Sequence, residues 1–509
     1  MKRILLSALV LGMLPVFSQK QNIDPIDKYV QIITPSSMKE KLTAIASAEM
    51  QGRETASPGQ RKAAAFLESQ FLRYGLVPGT TGGYQMQFPI FQDTIIEAVM
   101  KVNGYEQNLD TAYSYNISTA ANGTLDIKQV VFASYGMVTD TRNDYAEIDV
   151  KGKWVMLLEG TASEPEEPAD NKSPFAMKAK IEKAKSLGAK GVIVVSADFP
   201  KKSSDIKKSR MSLKKPVTAA VSLITVSSAL GHVILNMDPN NLLQNLSIIP
   251  TGDYNTNLQL TVNKRTLMLQ SSNVLGILPG TDKKDEYVVI TAHYDHLGVR
   301  GKDIYYGADD DGSGTTAVIQ LAEAFSKAKA EGFGPRRSIV FLLFSGEEKG
   351  LIGSDFFTTF PSFPLAKTSA NLNIDMVGRV DPKYKGDSLN YLFIIGDDKL
   401  SSDLKPLTDS INKKYINLQL DRRYNDPTDP NRFYYRSDHY NFAKNGVPCI
   451  FYFNGTHFDY HKPTDTVDKI NFDLMSKRVK LVYYTTWNLA NRDNMMRRDI
   501  ALPKPVTAE

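Results

Sequence analysis

The run Glu286-Tyr-Val-Val-Ile-Thr-Ala-His293-Tyr-Asp295-His296-Leu-Gly298 is followed, after a short loop, by Gly307-Ala-Asp309-Asp310-Asp311-Gly-Ser-Gly314. Tyr287 to Thr291 is apolar and β-branched, the pattern of a buried strand. It stops abruptly at His293, Asp295 and His296. Three aspartates then precede a helical pattern over Thr315 to Lys329. Ligand-type side chains at the C-terminal end of a buried strand, beside a helix start, lie where open α/β sheets carry their sites.

Outward from this stretch, strands and helices alternate. Strands are predicted at Tyr287–Thr291, Ser338–Phe344, Ala370–Ile374, Leu392–Ile395 and Val447–Phe453. Helices are predicted at Thr315–Lys329, Ile352–Thr359, Asp403–Lys414, Asp438–Lys444 and Asp473–Ala490. Such alternation implies an α/β fold with a mostly parallel central sheet and helices on both faces. Towards the N-terminus, two helical patterns fill Ser37 to Leu76, separated by the turn-rich Gln51-Gly-Arg53-Glu-Thr-Ala-Ser-Pro-Gly59. Tyr84 to Leu109 reads as strands. From about Asp126 to Pro250 the texture changes to strand, strand, helix, strand, strand, helix without a cluster of His, Asp and Glu, which suggests an inserted smaller α/β module. Its basic loop, Lys201 to Lys215, is expected to be solvated, and His232 to be structural. The expected division is 1–18, 19–125, 126–250, 251–495 and a loose tail, 496–509.

With 509 residues the chain can bury more than one sizeable core. A net charge of +5 is small for that length and gives no reason to expect nucleic acid as a partner. Lys2 and Arg3 precede the apolar Ile4 to Phe17, then Ser18-Gln19-Lys20. That is the layout of a secretory signal peptide cut near Ser18, and it implies an exported protein, periplasmic or secreted, with no membrane attachment afterwards. Cys449, the one cysteine, lies in an apolar strand pattern and is expected in the core.

Five clusters follow apolar strands or open helices: His293-Tyr-Asp295-His296, Asp309-Asp310-Asp311, Ser345-Gly-Glu347-Glu348, Asn373-Ile-Asp375, and Asp459-Tyr-His461-Lys-Pro-Thr-Asp465. Any one alone is more often a helix cap or a surface hydrogen bond. In a parallel sheet their strand ends converge on one edge, where so many carboxylates would repel one another without cations. Histidine mixed with oxygen ligands suits zinc, cobalt or manganese.

The segments A-H-Y-D-H-L-G, G-A-D-D-D-G-S-G, S-G-E-E-K-G-L-I-G-S, N-I-D-M-V-G-R and Y-H-K-P-T-D-T, in this order, resemble the co-catalytic di-zinc aminopeptidases of the bacterial leucyl aminopeptidase type, a family that also holds glutamate carboxypeptidases and glutaminyl cyclases. The resemblance covers roughly residues 271 to 495, and the block 126–250 is similar to a protease-associated domain. It implies the zinc exopeptidase fold and a peptide substrate. It implies one zinc on His293 and Asp375, a second on Glu348 and His461, and Asp310 bridging them. Glu347 takes the place of the general base and Asp295 that of the residue orienting His293. Tyr434 aligns with a tyrosine that helps stabilise the tetrahedral intermediate; Tyr435 is the alternative, because R-F-Y-Y-R-S-D-H lacks the cysteine pair of the members with that tyrosine. His296 and His439 are left to structural or substrate-side hydrogen bonding. Aminopeptidase activity is the expectation, with an acidic-peptide carboxypeptidase and a glutaminyl cyclase as rivals; Arg379, Arg432 and Arg436 could serve the former.

Overall fold

The computed structural model describes residues 24–160, 174–201, 208–216, 222–237 and 246–503. The expected signal segment, 1–18, lies outside these residues.

At the centre, strand Lys283–His293 pairs in parallel with Arg337–Phe344 on one side and Thr368–Ile374 on the other. Cys449–Phe453 continues the parallel order beyond Thr368–Ile374. All eight residues of Arg337–Phe344 and all seven of Thr368–Ile374 are buried, which is why these segments read as unbroken apolar runs rather than alternating ones. The order then turns antiparallel at both flanks: Tyr391–Ile395 runs against Cys449–Phe453, and Gly252–Leu278 against Arg337–Phe344.

Helices Gly312–Ala330 and Phe472–Asn491 pack with the N-terminal helices Pro35–Ile45 and Pro58–Arg73 in the largest apolar core. Both N-terminal helices start as their sequences dictate: Thr34 and Ser57 cap them through their hydroxyls, and proline follows immediately. Ile352–Thr359 and His439–Lys444 contribute to a second core on the sheet's other side, with Phe357 and Phe442 against Phe344. Cys449 is buried as expected.

The region 126–250 is not a self-contained insert. Strands Gly123–Phe132, Trp154–Leu158, Gly191–Ser196 and Ser222–Ser227 form a parallel set, with Tyr113–Tyr115 antiparallel at its far edge. Gly123–Phe132 then pairs with Gly252–Leu278. That 27-residue strand also pairs along most of its length with Gln85–Val102. One sheet therefore runs from the parallel central strands into the second region. The core there draws Met100, Val102, Tyr113, Leu258, Leu260 and Val262 from outside 126–250.

Among the described residues the basic loop and the start of the tail both have definite contacts, and for the tail this corrects the expectation. The described part of the basic loop keeps Lys208, Arg210, Lys214 and Lys215 exposed, while its backbone lies along Gln85–Val102: Ser209 N–H donates to Asp93 O at 2.9 Å and Ser212 pairs with Phe91, with Met211 and Leu213 packed beside Phe88 and Ile90. The start of the tail is tied down. Arg497 donates to Asp403 at 2.6 Å and Arg498 to the Leu365 and Thr368 carbonyls, both at 2.8 Å.

Candidate metal centre

The four parallel central strands all end on one edge of the sheet, and each hands over to a segment carrying chemistry. His293 is the last residue of its strand, Glu347 and Glu348 follow Phe344, Asp375 follows Ile374, and His461 lies beyond Phe453. His293 Nε2 lies 3.3 Å from Asp310 Oδ1, 3.8 Å from Asp375 Oδ1 and 3.9 Å from Glu347 Oε2. On the other side of the same carboxylate, His461 Nε2 is 3.1 Å from Asp310 Oδ2 and 3.3 Å from Glu348 Oε2. Asp310 thus offers one oxygen to each of two groups of donors.

The three neighbouring aspartates have different tasks. Asp311 caps helix Gly312–Ala330 by accepting from Gly314 N–H at 2.8 Å, and also accepts from Met376 N–H at 3.0 Å. Asp309 accepts from Gly378 N–H at 2.7 Å and faces His457 Nε2 at 3.2 Å. The backbone N–H groups of Asp309 and Asp310 both donate to Asp465 Oδ2. Asp309 and Asp311 are therefore spent on holding the loop, and Asp310 alone lines the cavity.

His293 Nδ1 stands 3.1 Å from Asp295 O, and 3.8 Å from the Asp295 carboxylate. Donation to that carbonyl puts the proton on Nδ1 and leaves Nε2 free to bind a cation, the arrangement metal-bound histidines adopt. The Asp295 carboxylate instead accepts from Thr55 Oγ1 at 2.6 Å and from Glu347 N–H at 3.2 Å. Asp375 is oriented by Ser437, whose hydroxyl donates to it at 2.6 Å and accepts from Asn373 at 2.9 Å.

The electrostatics follow from burial among like charges. Burial, then Glu348 and Asp375, push the Glu347 carboxyl well above the carboxylate range despite His293. Burial alone would lower His461, but its hydrogen bonds to Asp310 and Glu348 prevail and push it up to about 10. Burial raises Asp311 as well, helped by Asp375. The cluster is short of positive charge, which bound cations would supply.

Several buried polar atoms here have no hydrogen-bond partner: both ring nitrogens of His296, Asp310 Oδ2 and Glu348 Oε1. Orphans of this kind are costly and rare, and His296 Nδ1 faces the two carboxylate oxygens. Divalent cations would satisfy them; the donor set of imidazole and carboxylate fits zinc, cobalt or manganese. Two groups have the close spacing a metal needs, His293 with Asp310 and Asp375, and His296 with Asp310 and Glu348.

A cavity open to solvent borders the cluster. Met376, Phe433, Phe451 and Phe453 supply an apolar wall, and Arg436, Thr456 and Tyr460 a polar one. Among the described residues none of its lining comes from 126–250. Tyr434 does not line it either. Its ring is buried against Tyr435, Tyr440 and His439. Tyr460 lines the cavity instead, stacked on His461 at 3.9 Å. Its position beside His461 was the available signal. Arg53 was also missed. It is wholly buried and donates to the carbonyls of Ile45, Tyr294, Tyr306 and Gly307, tying both metal-site loops to the N-terminal helices. An arginine in a turn-rich loop carries no sequence signal for that. His439 stacks on Phe451 away from the cavity lining, and His232 Nδ1 contacts Ser228 O at 2.8 Å within its own helix.

Residues 273–486 match the family model described as Peptidase family M28. A probable leucine aminopeptidase of Trichophyton verrucosum (strain HKI 0517) is 28% identical over 241 residues, 46% of this chain and 60% of the relative. A probable glutamate carboxypeptidase of Arabidopsis thaliana is 29% identical over 139 residues, 27% of this chain and 18% of the relative. The chain thus spans less than two thirds of the length of these relatives. Among solved structures, an aminopeptidase from Aneurinibacillus sp. strain AM-1 shares the fold: TM-score 0.54, 19% identity, covering 95% of this chain and 98% of that one.

Proposed function

We propose, from the premise that residues 273–486 belong to peptidase family M28, that this chain is a metal-dependent aminopeptidase. The observation that carries the reading is Asp310, a buried carboxylate with one oxygen towards His293 and the other towards His461. His293, Asp375 and Asp310 would hold one divalent cation, and Glu348, His461 and Asp310 a second, with zinc the natural choice for these donors. Bound there, the cations supply Lewis acidity, polarising the scissile carbonyl and making water a stronger acid.

The protein's own groups do the rest. Glu347 borders the cavity and is not needed as a ligand. Its carboxyl, raised by burial, takes a proton from the attacking water and passes it to the nitrogen of the leaving amine. Asp295, through the Glu347 N–H and Thr55, holds that loop against the end of the His293 strand. Tyr460, rather than Tyr434, is placed to donate its hydroxyl to the oxyanion that develops. The Phe433, Phe451, Phe453 and Met376 wall suits an apolar side chain at the residue released. Arg436 on the same cavity favours one second reading, a carboxypeptidase that anchors a substrate carboxylate.

A mixed peptide library, incubated with zinc-loaded protein and sequenced, separates these. Loss of apolar residues from free N-termini is expected, with N-acetylated peptides untouched. Shortening from the C-terminus would replace the proposal by the carboxypeptidase reading, and equal cleavage of blocked and free peptides would overturn both. The N-terminal segment 1–18 supports export; among the described residues no helix is long and apolar enough to cross a membrane.

A further inference from the structure

His296 is left out of the two ligand sets of the proposed function, although it stands at metal-ligand spacing from Asp310 and Glu348. The ring is completely buried. Its backbone N–H donates to Arg53 O at 3.3 Å, and Glu54 pairs with it as an isolated bridge. Gly307 lies directly against the ring. A Cβ there would come within 2.5 Å of His296 Cγ and Cδ2, and the backbone has φ +54°, so this glycine serves both the turn and the ring. A histidine clamped in this way, without solvent and with no hydrogen bond to either nitrogen, is costly unless something binds it.

The ring points Nδ1 into the cluster. Nδ1 is 2.8 Å from Glu348 Oε1 and 3.8 Å from Asp310 Oδ2. His461 Nε2 faces the same two carboxylates from the far side, at 3.3 and 3.1 Å. Ligand atoms bonded to one cation at about 2.0–2.2 Å stand roughly 3 to 3.5 Å apart, and these four separations scatter about that range. Despite the 2.8 Å approach, His296 and Glu348 Oε1 do not meet with hydrogen-bond geometry. Two polar atoms that close and not aligned with each other are placed to share a third partner.

We infer that His296 Nδ1 is a further protein ligand of the second cation, beside Glu348, His461 and the bridging Asp310. The inference rests on the reading of this cluster as a site for divalent cations. It makes the two positions unequal: one imidazole at the first, two at the second. The second then retains a cation more tightly and favours zinc or cobalt over magnesium or calcium. It also changes the role of His461, which is the more exposed of the two rings. Loss of His461 alone leaves three protein ligands behind.

The test uses the full chain, stripped of metal and titrated with zinc by calorimetry and chelator competition, with cobalt absorption as a second readout. Four forms are compared: wild type, His296→Ala, His296→Asp and His461→Ala. Circular dichroism and thermal melting of the metal-free proteins report folding. The expected result is two zinc ions in wild type, and a tighter class weakened at least 10-fold to 100-fold in His296→Ala with the other class unchanged. The cobalt spectrum of that class changes with it. His296→Asp places an oxygen at the same distance along the side chain as Nδ1. It should recover most of the affinity, whereas a position that is only packed would tolerate a buried carboxylate worse than alanine. His461→Ala should still bind two ions. Unchanged zinc affinities and cobalt spectrum in His296→Ala overturn the inference and leave the functional reading standing. A wild type that takes up no zinc or cobalt overturns the functional reading and the inference with it.

Discussion

At the scale of single residues the neighbours Glu347 and Glu348 are chemically identical, and only geometry separates them. Glu348 meets His461 and His296, while Glu347 borders the cavity near His293. Glu347→Gln is expected to keep its metal and substrate affinity and to lose about two to four orders of magnitude in kcat. Glu348→Gln is expected to lose metal affinity first, with activity partly restored by excess zinc. Metal analysis beside kinetics checks this, and a Glu347→Gln protein that loses a cation would reverse the two roles. A second expectation concerns His439, fully buried on Phe451. Burial pushes its imidazole down to about 3, so it is neutral in the folded protein and takes up a proton, at about pH 6.5, only on unfolding. The folded value is the lower one. Stability from this group is therefore complete above about pH 6.5 and is lost as pH falls towards 3, by up to about 1.4 kcal/mol per pH unit. Its neighbour Asp438, pushed up to about 7 by burial, acts with the opposite sign, losing stability as pH rises from about 4 to 7. His439→Phe should therefore flatten the acid side of the stability curve relative to wild type; parallel urea titrations between pH 7 and 4 measure it, and equal slopes would show that His439 is not buried neutral. Most of these residues were legible as chemistry in the sequence. Their division of labour was not: Asp309, Asp310 and Asp311 look alike until one sees which carboxylate faces backbone amides and which faces the cavity.

At the scale of elements, the site depends on a close approach between the helix that follows Asp311 and the strand that carries Asp375. Gly314 lies at that contact. An added Cβ would fall 2.2 Å from Ile374 O and 2.4 Å from Asp311 Oδ2. Both obstacles belong to atoms that cannot swing away, since one is backbone and the other is the helix cap. Gly314→Ala should therefore lower stability by about 1–3 kcal/mol, the usual range for overpacking. It should also weaken cation binding by moving Asp310 away from Asp375. Denaturant unfolding and zinc titration test it, and a variant equal to wild type in both would mean that the contact is looser than it stands here. The sequence marked this helix well, through three aspartates and a Gly-Ser-Gly start. It did not mark the long pairing of Gln85–Val102 with Gly252–Leu278. Between residues 252 and 270 only Leu258, Leu260 and Val262 are buried at alternate positions and the rest are exposed or partly buried, so the apolar period is too short to announce a strand of this length.

At the scale of the molecule, that ribbon joins two cores in one sheet. If 126–250 were a removable insert, its deletion would leave the remainder intact. The shared core predicts otherwise, because Met100, Val102, Leu258, Leu260 and Val262, each buried to 1% exposure or less, would face water. A chain lacking 126–250 should melt lower and associate, as size-exclusion chromatography and thermal melting would show; a stable, monomeric product of full activity would make the block separable after all. What the sequence by itself determined is the order of apolar strands, the helices between them and the polar residues at their ends. Those are local properties, set by side-chain period, capping and turn chemistry. What only the tertiary structure decided is which of those residues meet. Asp310 bridging His293 and His461, Tyr460 in the cavity in place of Tyr434, Arg53 beneath both loops and His296 against Gly307 are contacts between segments far apart in the chain. They come about because parallel strands deliver their C-terminal ends to one edge, and no local pattern encodes the distance between two side chains that meet there.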